Sequence, residues 1–287
     1  MNQKPVIPSV NFHLWEPCNF RCKFCFASFL DVKESILPKG HLPKEDTLEV
    51  VRQLCRYGFK KITFVGGEPT LCPWLPELIA EAKSFRVNTM IVTNGSRITS
   101  EYLLPLKGIL DWITLSIDST NPEINRKSGR GRNSTFFSSQ DYLLKCGIIK
   151  DAGFRLKINT VVHRLNYNEV QSGFISQARP ERWKIFKVLP ISGQNSTGIS
   201  GLDITDEEFL HFLEINKDLS PGVDFVPENN DAMTGSYLMI DPAGRFFDNT
   251  KGEHSYGQPL LKVGINEAMN PINFSYEKFI ERGGLYE

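Results

Sequence analysis

The sequence has no long apolar run, no excess of either charge and no low-complexity segment. Its first residues lack the apolar stretch of a signal peptide or a membrane helix, so we expect a cytoplasmic protein with reduced thiols. The 33 basic and 33 acidic residues cancel, which argues against a surface that binds nucleic acid. With 287 residues, of which 40% are hydrophobic, the chain suits one large domain or two modest ones.

Three of the six cysteines lie close together, at Cys18, Cys22 and Cys25, in the spacing CxxxCxxC. Thiolates are the usual ligands of iron–sulfur clusters, and a cubane cluster needs four ligands. Because no fourth cysteine follows nearby, one iron would stay open, and a small cofactor can be bound and cleaved there. The other cysteines are isolated along the chain: Cys55, Cys72 and Cys146.

A zinc ion is the alternative occupant of this loop, with His13 as a possible fourth ligand. Structural zinc sites usually combine two Cys-x2-Cys hooks, and the sequence has no second pair. A disulfide framework is disfavoured because a chain of this length does not need cross-links for stability. We therefore prefer the iron–sulfur interpretation and keep a non-catalytic zinc-binding module as a second hypothesis.

Apolar, β-branched runs alternate with segments whose apolar residues recur near a period of 3.6. This alternation predicts parallel strands joined by right-handed helical crossovers. Six such units favour an α/β fold, a partial (β/α)6 TIM-like barrel with a C-terminal extension, over an open doubly wound sheet. The predicted strands are Val10–Leu14, Lys61–Val65, Thr89–Thr93, Trp112–Ile117, Arg155–Val162 and Trp183–Leu189, and the predicted helices are Lys44–Tyr57, Leu75–Phe85 and Ser139–Ala152.

The pattern changes after Pro190, so we divide the chain into a barrel at 1–190 and an extension at 191–287. Thr205 and Glu208 form a capping-box pattern at the start of a helix in the extension. The elements predicted there are a loop at 191–202, a helix over Asp206–Leu219, a hairpin over Ser236–Asp248 that turns at 242–244, and an ordered lid at 280–286.

Each predicted strand has polar or glycine-rich residues in or just after it, and barrels of this type place their chemistry at the C-terminal ends of strands. The first strand runs into the cysteine loop, and the second ends in Gly66-Gly67-Glu68-Pro69. Two later strands carry Lys157 and Lys184 among apolar neighbours, where a lysine is costly unless it is paired with an anion. The alternative for each lysine is that it points outward.

The cysteine loop followed by GGEP at the next strand end resembles the radical SAM superfamily. Other strings, among them KINTVVHRLN, ERWKIFKVL, VPENN and RGGLY, occur in the same order as similar strings in viperins. The chain is identified as a prokaryotic viperin-like protein. The resemblance implies a [4Fe–4S] cluster, S-adenosylmethionine (SAM) on the open iron, and dehydration of CTP, UTP or GTP to the 3′-deoxy-3′,4′-didehydro form. That product terminates viral RNA synthesis, so a role in antiviral defence is expected.

The resemblance also assigns residues to roles. Arg130 matches the position that pairs with the SAM carboxylate, a task that suits its planar, bidentate guanidinium. An exposed arginine is the alternative, and Asn94 could simply satisfy local backbone groups. The cluster ligands would be Cys18, Cys22 and Cys25, and the SAM site would use Gly67, Glu68, Asn94, Ser116 and Arg130. The triphosphate would be bound by Lys61, Lys157, Asn159, Arg182, Lys184 and Arg282.

Tyr237 matches a tyrosine near the substrate of viperins. It would donate a proton or hydrogen, or pack against the nucleotide, and an ordinary core tyrosine is the alternative. In the implied reaction, a 5′-deoxyadenosyl radical takes the ribose 4′ hydrogen and the 3′ hydroxyl leaves as water. An electron and a proton complete the double bond. The resemblance also implies a monomer that receives electrons from a donor such as flavodoxin or ferredoxin.

Two departures from animal viperins affect these expectations. Val65 stands where those proteins have a serine before GGEP, so one hydrogen bond near the phosphates is lost or replaced. The amphipathic membrane helix and the tryptophan-ended tail of the animal proteins are missing from this sequence, so we expect no membrane attachment.

Other radical SAM enzymes, such as a GTP cyclase or a peptide-modifying enzyme, remain the rival enzymatic hypothesis. Those enzymes commonly bind auxiliary clusters through C-terminal cysteines, and no cysteine follows Cys146. Among the nucleotides, CTP is favoured by analogy with animal viperins.

Overall fold

The computed structural model describes residues 8–132 and 135–286. Ten strands occur in this part of the chain: β1 (Ser9–Trp15), β2 (Lys61–Gly66), β3 (Asn88–Thr93), β4 (Trp112–Ser116), β5 (Arg155–Val162), β6 (Arg182–Lys187), β7 (Asp224–Glu228), β8 (Met239–Ile240), β9 (Arg245–Asp248) and β10 (Ser255–Pro259). They form one sheet in the order β10-β9-β8-β1-β2-β3-β4-β5-β6-β7. Among the described residues β10 and β7 are its two edges, so the sheet stays unclosed.

The strands from β1 to β7 run parallel, each beside the next in sequence. This arrangement confirms the predicted α/β fold with its parallel sheet, which β7 extends beyond the six predicted strands. β8 joins the free side of β1 in parallel, and β9 then returns antiparallel to β8, as the predicted hairpin requires. Strands from residues 191–287 therefore continue the sheet at both of its sides.

Helices cover the connections between the strands. In chain order they are α1 (Lys44–Tyr57), α2 (Leu75–Ser84), α3 (Ser100–Leu103), α4 (Pro122–Ser128), α5 (Ser139–Asp151), α6 (Ser172–Ala178), α7 (Asp206–Ile215), α8 (Asn230–Met233), α9 (Leu260–Val263), α10 (Ile265–Met269) and α11 (Tyr276–Glu281). Shorter turns lie at Val32–Ile36, Pro69–Leu71 and Leu104–Leu106. The predicted bounds of α1 are confirmed, and those of α2 and α5 differ only at the last residue.

The two faces of the sheet differ in chemistry because side chains alternate along a strand. On β1, Val10 and Phe12 are fully buried in the apolar core, together with residues of α1 and α2. Asn11 and His13 point to the other face, where they line an internal cavity. The fold thus places an apolar layer outside the sheet and a polar surface inside it.

The N-terminal segment 1–7 lies outside the described residues, so the prediction that it is neither a signal peptide nor a membrane helix stays a prediction. Within the described ranges, none of the helices combines the length and the apolar character that a membrane crossing requires.

Candidate active site

A cavity of about 610 Å³ lies against the inner face of the sheet. It is lined by every residue that the sequence assigns to the cluster, SAM or substrate, except Arg182. The lining side chains come from all of the strands β1 to β6, from the segments that follow β7, and from the tail. The structure therefore brings together residues that lie far apart in the sequence. They are Cys18, Cys22, Cys25, Lys61, Gly67, Glu68, Asn94, Ser116, Arg130, Lys157, Asn159, Lys184, Tyr237 and Arg282.

The cysteine loop is held against the end of α4 by backbone hydrogen bonds. The amide of Arg21 donates to the carbonyl of Gly129 (3.2 Å), and the amide of Lys23 donates to Ser128 (2.9 Å). Gly129 has a φ of +79°, and a Cβ at this position would overlap the carbonyl of Arg21. Only glycine fits this close approach without strain, and the approach places Arg130 directly beside the cysteines.

Burial sets the charge state of the three thiols. It raises the pKa of Cys18 to about 11 and that of Cys22 to about 12, while the positive charge of Arg130 opposes the shift. Iron binds thiolates, so an iron cluster would supply the positive charge that stabilises these sulfurs in the ionised form. Three unpaired cysteines on one cavity wall, with a cation behind them, fit a cluster that has one open iron.

The GGEP turn is built around a buried carboxylate. A Cβ on Gly67 would overlap the carbonyl of Glu16, so the turn requires glycine there. Glu68 accepts hydrogen bonds from the backbone and hydroxyl of Thr70 (3.0 and 2.5 Å), the hydroxyl of Thr93 (2.7 Å) and the amide of Asn94 (2.7 Å). Burial raises the pKa of Glu68, and these donors oppose the shift. Glu68 thereby fixes the ends of β2 and β3 relative to each other at the cavity.

Asn94 and Arg130 lie on either side of the cysteine loop. The side-chain amide of Asn94 donates to Asn19 (2.8 Å) and lies 4.0 Å from the sulfur of Cys18. Arg130 forms a buried ion pair with Asp118, which follows β4 and accepts the amide of Val161 (2.8 Å). The sequence did not indicate Asp118 as the partner of Arg130. Its carboxylate compensates the charge of the guanidinium, and the pairing of Arg130 with a SAM carboxylate stays a prediction.

Three lysines in the cavity are almost fully buried: Lys61 (6% exposed), Lys157 (5%) and Lys184 (2%). Burial lowers the pKa of Lys61 to about 8 and that of Lys157 to about 7, with Arg182 adding repulsion at Lys157. The pKa of Lys184 is also lowered well below its usual value, mainly by burial. Lys157 and Lys184 both line the cavity, so the alternative that they face outward is wrong.

The tail lies across this group of cations. The ring centre of Tyr286 is 3.3 Å from Nζ of Lys61, and its hydroxyl accepts a hydrogen bond from Lys157 (3.2 Å). Arg182 lies behind the tail, where its guanidinium donates to the carbonyl of Gly283 (2.9 Å) and stands 4.3 Å from the Tyr286 ring. Arg182 also pairs with Asp224 of β7 (3.3 Å). Arg182 thus holds the tail in place and does not line the cavity, while its predicted contact with phosphate stays a prediction.

Glu228, at the end of β7, is the main site residue that sequence reasoning missed. It is fully buried, forms an ion pair with Lys184 and accepts a hydrogen bond from the hydroxyl of Tyr237 (2.5 Å). Arg282 approaches the same carboxylate at 3.7 Å and donates to the carbonyl of Ser236 (2.9 Å). The VPENN string contained Glu228, but only the pairing of β7 with β6 shows which residues it meets.

Comparisons with known proteins agree with this geometry. The family model of the radical SAM superfamily matches residues 15–172. A protein of Flammeovirga pacifica named S-adenosylmethionine-dependent nucleotide dehydratase is 52% identical over 98% of this chain and 96% of its own length. The chain belongs to this dehydratase family. A relative of the same name from Lacinutrix mariniflava is 53% identical over 99% of this chain, and this chain spans 60% of that protein's length. The resemblance to viperins is thereby confirmed.

Vertebrate and structural relatives extend the comparison. The dehydratase RSAD2 of Oncorhynchus mykiss is 32% identical over the whole of this chain and 82% of its own length. The structure of anSMEcpe with bound AdoMet has a TM-score of 0.70 at 16% identity and covers 96% of this chain and 82% of that one. Streptococcus suis SuiB bound to S-adenosylmethionine has a TM-score of 0.63 at 16% identity, with coverages of 83% and 59%. These structural likenesses confirm the partial-barrel fold. The cofactors of the family are a [4Fe–4S] cluster and SAM, as predicted.

The surroundings of the cysteines and of His13 bear on the zinc hypothesis. Within residues 8–132 and 135–286, no three His, Cys, Asp or Glu side chains are grouped closely enough to hold a single metal ion. His13, the possible fourth ligand, lies on β1 among aromatic rings, 5.1 Å from Phe29 and 5.6 Å from Phe247 between ring centres.

Proposed function

We propose that this protein dehydrates a ribonucleoside triphosphate, with CTP favoured, to its 3′-deoxy-3′,4′-didehydro form, a chain terminator in antiviral defence. The names of its relatives support nucleotide dehydration. The single observation that carries the proposal is the group of buried, under-compensated cations that shares one cavity with the three cysteines.

The charges of this group fit a polyphosphate. Four of the basic residues that line the cavity form this group: Lys61, Lys157, Lys184 and Arg282. Among the described contacts, Glu228 is the one carboxylate that pairs with any of these four. When all four are protonated, they carry three more positive charges than Glu228 balances. Buried charges without partners are costly, and a triphosphate would supply the missing negative charge through charge-assisted hydrogen bonds.

The two ends of β2 give the direction in which the substrate lies. Lys61 opens this strand, whereas Gly67 and Glu68 follow its last residue beside the cysteine loop. At about 3.3 Å per residue, the strand separates Lys61 from Gly67 by roughly 20 Å. We therefore place the triphosphate at the lysine end and the ribose between the phosphates and the cysteines. Asn159 follows Lys157 by two residues on β5 and pairs with Lys184 of β6. Its buried Oδ1 has no hydrogen-bond partner in the described residues and is available to a ribose or phosphate group.

When bound, the cluster and SAM supply the radical that removes a hydrogen atom from the ribose. Cys18, Cys22 and Cys25 would hold the cluster, and Gly67, Glu68, Asn94, Ser116 and Arg130 would hold SAM. The protein's own groups bind the phosphates, orient the ribose and provide a proton to the departing 3′ hydroxyl. Tyr237 and Lys184, which line the cavity, are the proposed source of this proton. Val65 is buried, with 9% of its surface exposed, and its side chain offers no hydrogen bond to the phosphates.

We further infer that the extension at 191–287 completes the substrate site. Glu228, Tyr237, Arg282 and Tyr286 all belong to this extension and meet the lysines of the barrel. A cytoplasmic monomer that takes electrons from flavodoxin or ferredoxin, and binds neither membrane nor nucleic acid, completes the proposal. The zero net charge supports the absence of a nucleic-acid surface.

An anaerobic assay tests the proposed function. The reconstituted protein is incubated with SAM, reductant and each of the four ribonucleoside triphosphates, and 5′-deoxyadenosine and the nucleotide product are quantified by mass spectrometry. We expect one triphosphate, CTP in our proposal, to stimulate 5′-deoxyadenosine release and to lose the mass of one water. Release at the no-substrate level with all four nucleotides would refute the proposal.

The lowered lysine pKa values predict how substrate affinity depends on pH. Lys157 (pKa about 7) and Lys61 (pKa about 8) lose protons in the ligand-free protein as pH rises. Because the triphosphate binds the charged lysines, its binding is coupled to the uptake of those protons from solvent. Affinity is expected to be highest below pH 7 and to fall by up to about tenfold per pH unit for each lysine above its free pKa. Calorimetric titration in buffers of different ionisation enthalpy measures both the affinity and the proton uptake. An affinity that stays constant from pH 6.5 to pH 9 would contradict this account.

A further inference from the structure

A buried carboxylate connects three substrate-site residues that would otherwise be independent. Glu228 has no exposed surface and does not itself line the cavity, but Lys184, Tyr237 and Arg282 do. The phenol of Tyr237 donates to one oxygen of Glu228 at 2.5 Å, and Lys184 pairs with the other. Lys184 also donates to the phenol oxygen at 2.9 Å. Carboxylate, phenol and ammonium thus form a closed ring of two hydrogen bonds and one ion pair at the cavity wall.

The chemistry of the three groups fixes the direction of these hydrogen bonds. An ammonium only donates and an ionised carboxylate only accepts, so the phenol of Tyr237 must accept from Lys184 and donate to Glu228. Burial raises the pKa of Tyr237 well above its usual value, so the phenol keeps its proton. Burial lowers the pKa of Lys184, and the negative charge of Glu228 opposes that shift. The ring therefore places a lysine that releases its proton more readily than an ordinary lysine beside a phenol that keeps its own.

We propose that Glu228 is a positioning residue that holds Lys184 and Tyr237 together as one proton-delivering pair at the ribose. This inference rests on the proposed function. Loss of the 3′ hydroxyl breaks the C3′–O bond, and the departing oxygen takes a proton from the phenol of Tyr237 to leave as water. Lys184 passes a proton to the phenol oxygen and becomes neutral until solvent protonates it again. One electron from the reductant, the flavodoxin or ferredoxin proposed above, completes the C3′–C4′ double bond.

The alternative is a purely structural ion pair. Buried ion pairs contribute little net stability, because desolvation offsets their attraction. A structural role predicts that replacing Glu228 changes the stability of the fold and leaves unchanged the amount of dehydrated nucleotide formed per 5′-deoxyadenosine. A positioning role predicts a specific defect after hydrogen abstraction, because the first step needs no proton from this ring.

The experiment uses the full-length, cluster-loaded enzyme and compares Glu228→Gln, Glu228→Asp and Tyr237→Phe with wild type. For the nucleotide that most stimulates wild type, 5′-deoxyadenosine and dehydrated nucleotide are measured in the same reaction. We expect Glu228→Gln to retain substrate-stimulated 5′-deoxyadenosine release but to form at least about tenfold less product per 5′-deoxyadenosine. Glu228→Asp should restore part of this ratio. Tyr237→Phe should lower it similarly, and the double variant should add little because both act through one ring.

Glu81→Gln is the matched control, since Glu81 pairs with Arg52 (3.0 Å) on the outer helices, away from the cavity. It should keep the wild-type product ratio. An unchanged ratio in Glu228→Gln would overturn the inference, as would an unchanged ratio in Tyr237→Phe if the glutamine variant fails to fold. Either result can occur while the wild-type enzyme still dehydrates the nucleotide. The inference about Glu228 would then be wrong and the proposed function would stand. The proposed function itself fails only if the wild-type enzyme does not dehydrate any nucleotide.

Discussion

The variant Cys22→Ala is expected to keep its fold and to lose its iron, and with it SAM cleavage and nucleotide turnover. Three thiolates leave one iron of a [4Fe–4S] cluster open, and two thiolates no longer supply the ligands that the cluster needs. Cys22 lies in a loop fixed by backbone hydrogen bonds to 128 and 129, and these bonds do not involve its side chain. The fold should therefore survive while activity falls by at least about a thousandfold.

Iron and acid-labile sulfide per chain, measured after anaerobic reconstitution, check this result together with 5′-deoxyadenosine release. The control is Cys55→Ala, because Cys55 is a buried free cysteine on α1 that does not line the cavity. It should bind iron as wild type does. A Cys22→Ala protein with a full complement of iron and sulfide would show that this cysteine is not a ligand. Zinc bound without iron in wild type would instead favour the zinc-binding module.

Much of the fold follows from local sequence signals. The helix α1 has the predicted bounds because an apolar stripe recurs along it and Gly58, with a φ of 109°, ends it. The capping box of Thr205 and Glu208 forms as predicted. The predicted C-terminal end of this helix, Leu219, is wrong, because the helix ends at Ile215. Asn216 ends it, since its side chain accepts the amides of 171 and 172 in another part of the chain, which no local pattern reveals.

The strand β7 was missed for a related reason. It has five residues, and three of them, Asp224, Pro227 and Glu228, are of types that are depleted in strands, so it carries a weak strand signal. Pairing with β6 places it in the sheet. The sequence therefore predicted the lysines of β5 and β6 but not Glu228, the carboxylate that β7 brings to them.

The candidate site divides in the same way. The cysteine loop and GGEP were predicted to meet because parallel strands end at one edge of the sheet, and both line the cavity. Side-chain partners depend on contacts across the cavity that the order of strands does not specify. The ion pair of Asp118 with Arg130 and the hydrogen bond of Arg182 to the tail are two such contacts. The roles of these residues toward SAM and nucleotide remain predictions.

Replacing Lys157 with methionine is expected to weaken triphosphate binding by about a hundredfold and yet to stabilise the ligand-free protein. The ammonium of Lys157 is buried, and its described hydrogen bond is to the hydroxyl of Tyr286. Methionine has a similar length and no charge, so it removes both the attraction for phosphate and the cost of burying an ammonium. Such opposed effects are typical of residues retained for function.

The stability effect has a defined dependence on pH. The pKa of Lys157 is lowered from its usual value near 10.5 to about 7 on folding, so the unfolded chain binds the extra proton between these values. The stability of wild type therefore rises with pH through this range, and the penalty is fully present below pH 7. The methionine variant should gain about 1–3 kcal/mol at pH 6 and progressively less toward pH 10.

Chemical denaturation at pH 6 and pH 9 measures the stability, and calorimetric titration with CTP measures the affinity. Lys150→Met is the control: Lys150 is exposed on α5, bonds to the carbonyl of Ala178 (3.2 Å) and should change neither quantity by much. If Lys157→Met destabilised the ligand-free protein at pH 6, the ammonium would already have an adequate partner there. The cavity would then not need an anion, and the observation that carries the proposed triphosphate site would be lost. A gain in stability with a loss of affinity would instead mean that the free protein keeps a charge whose partner is the substrate.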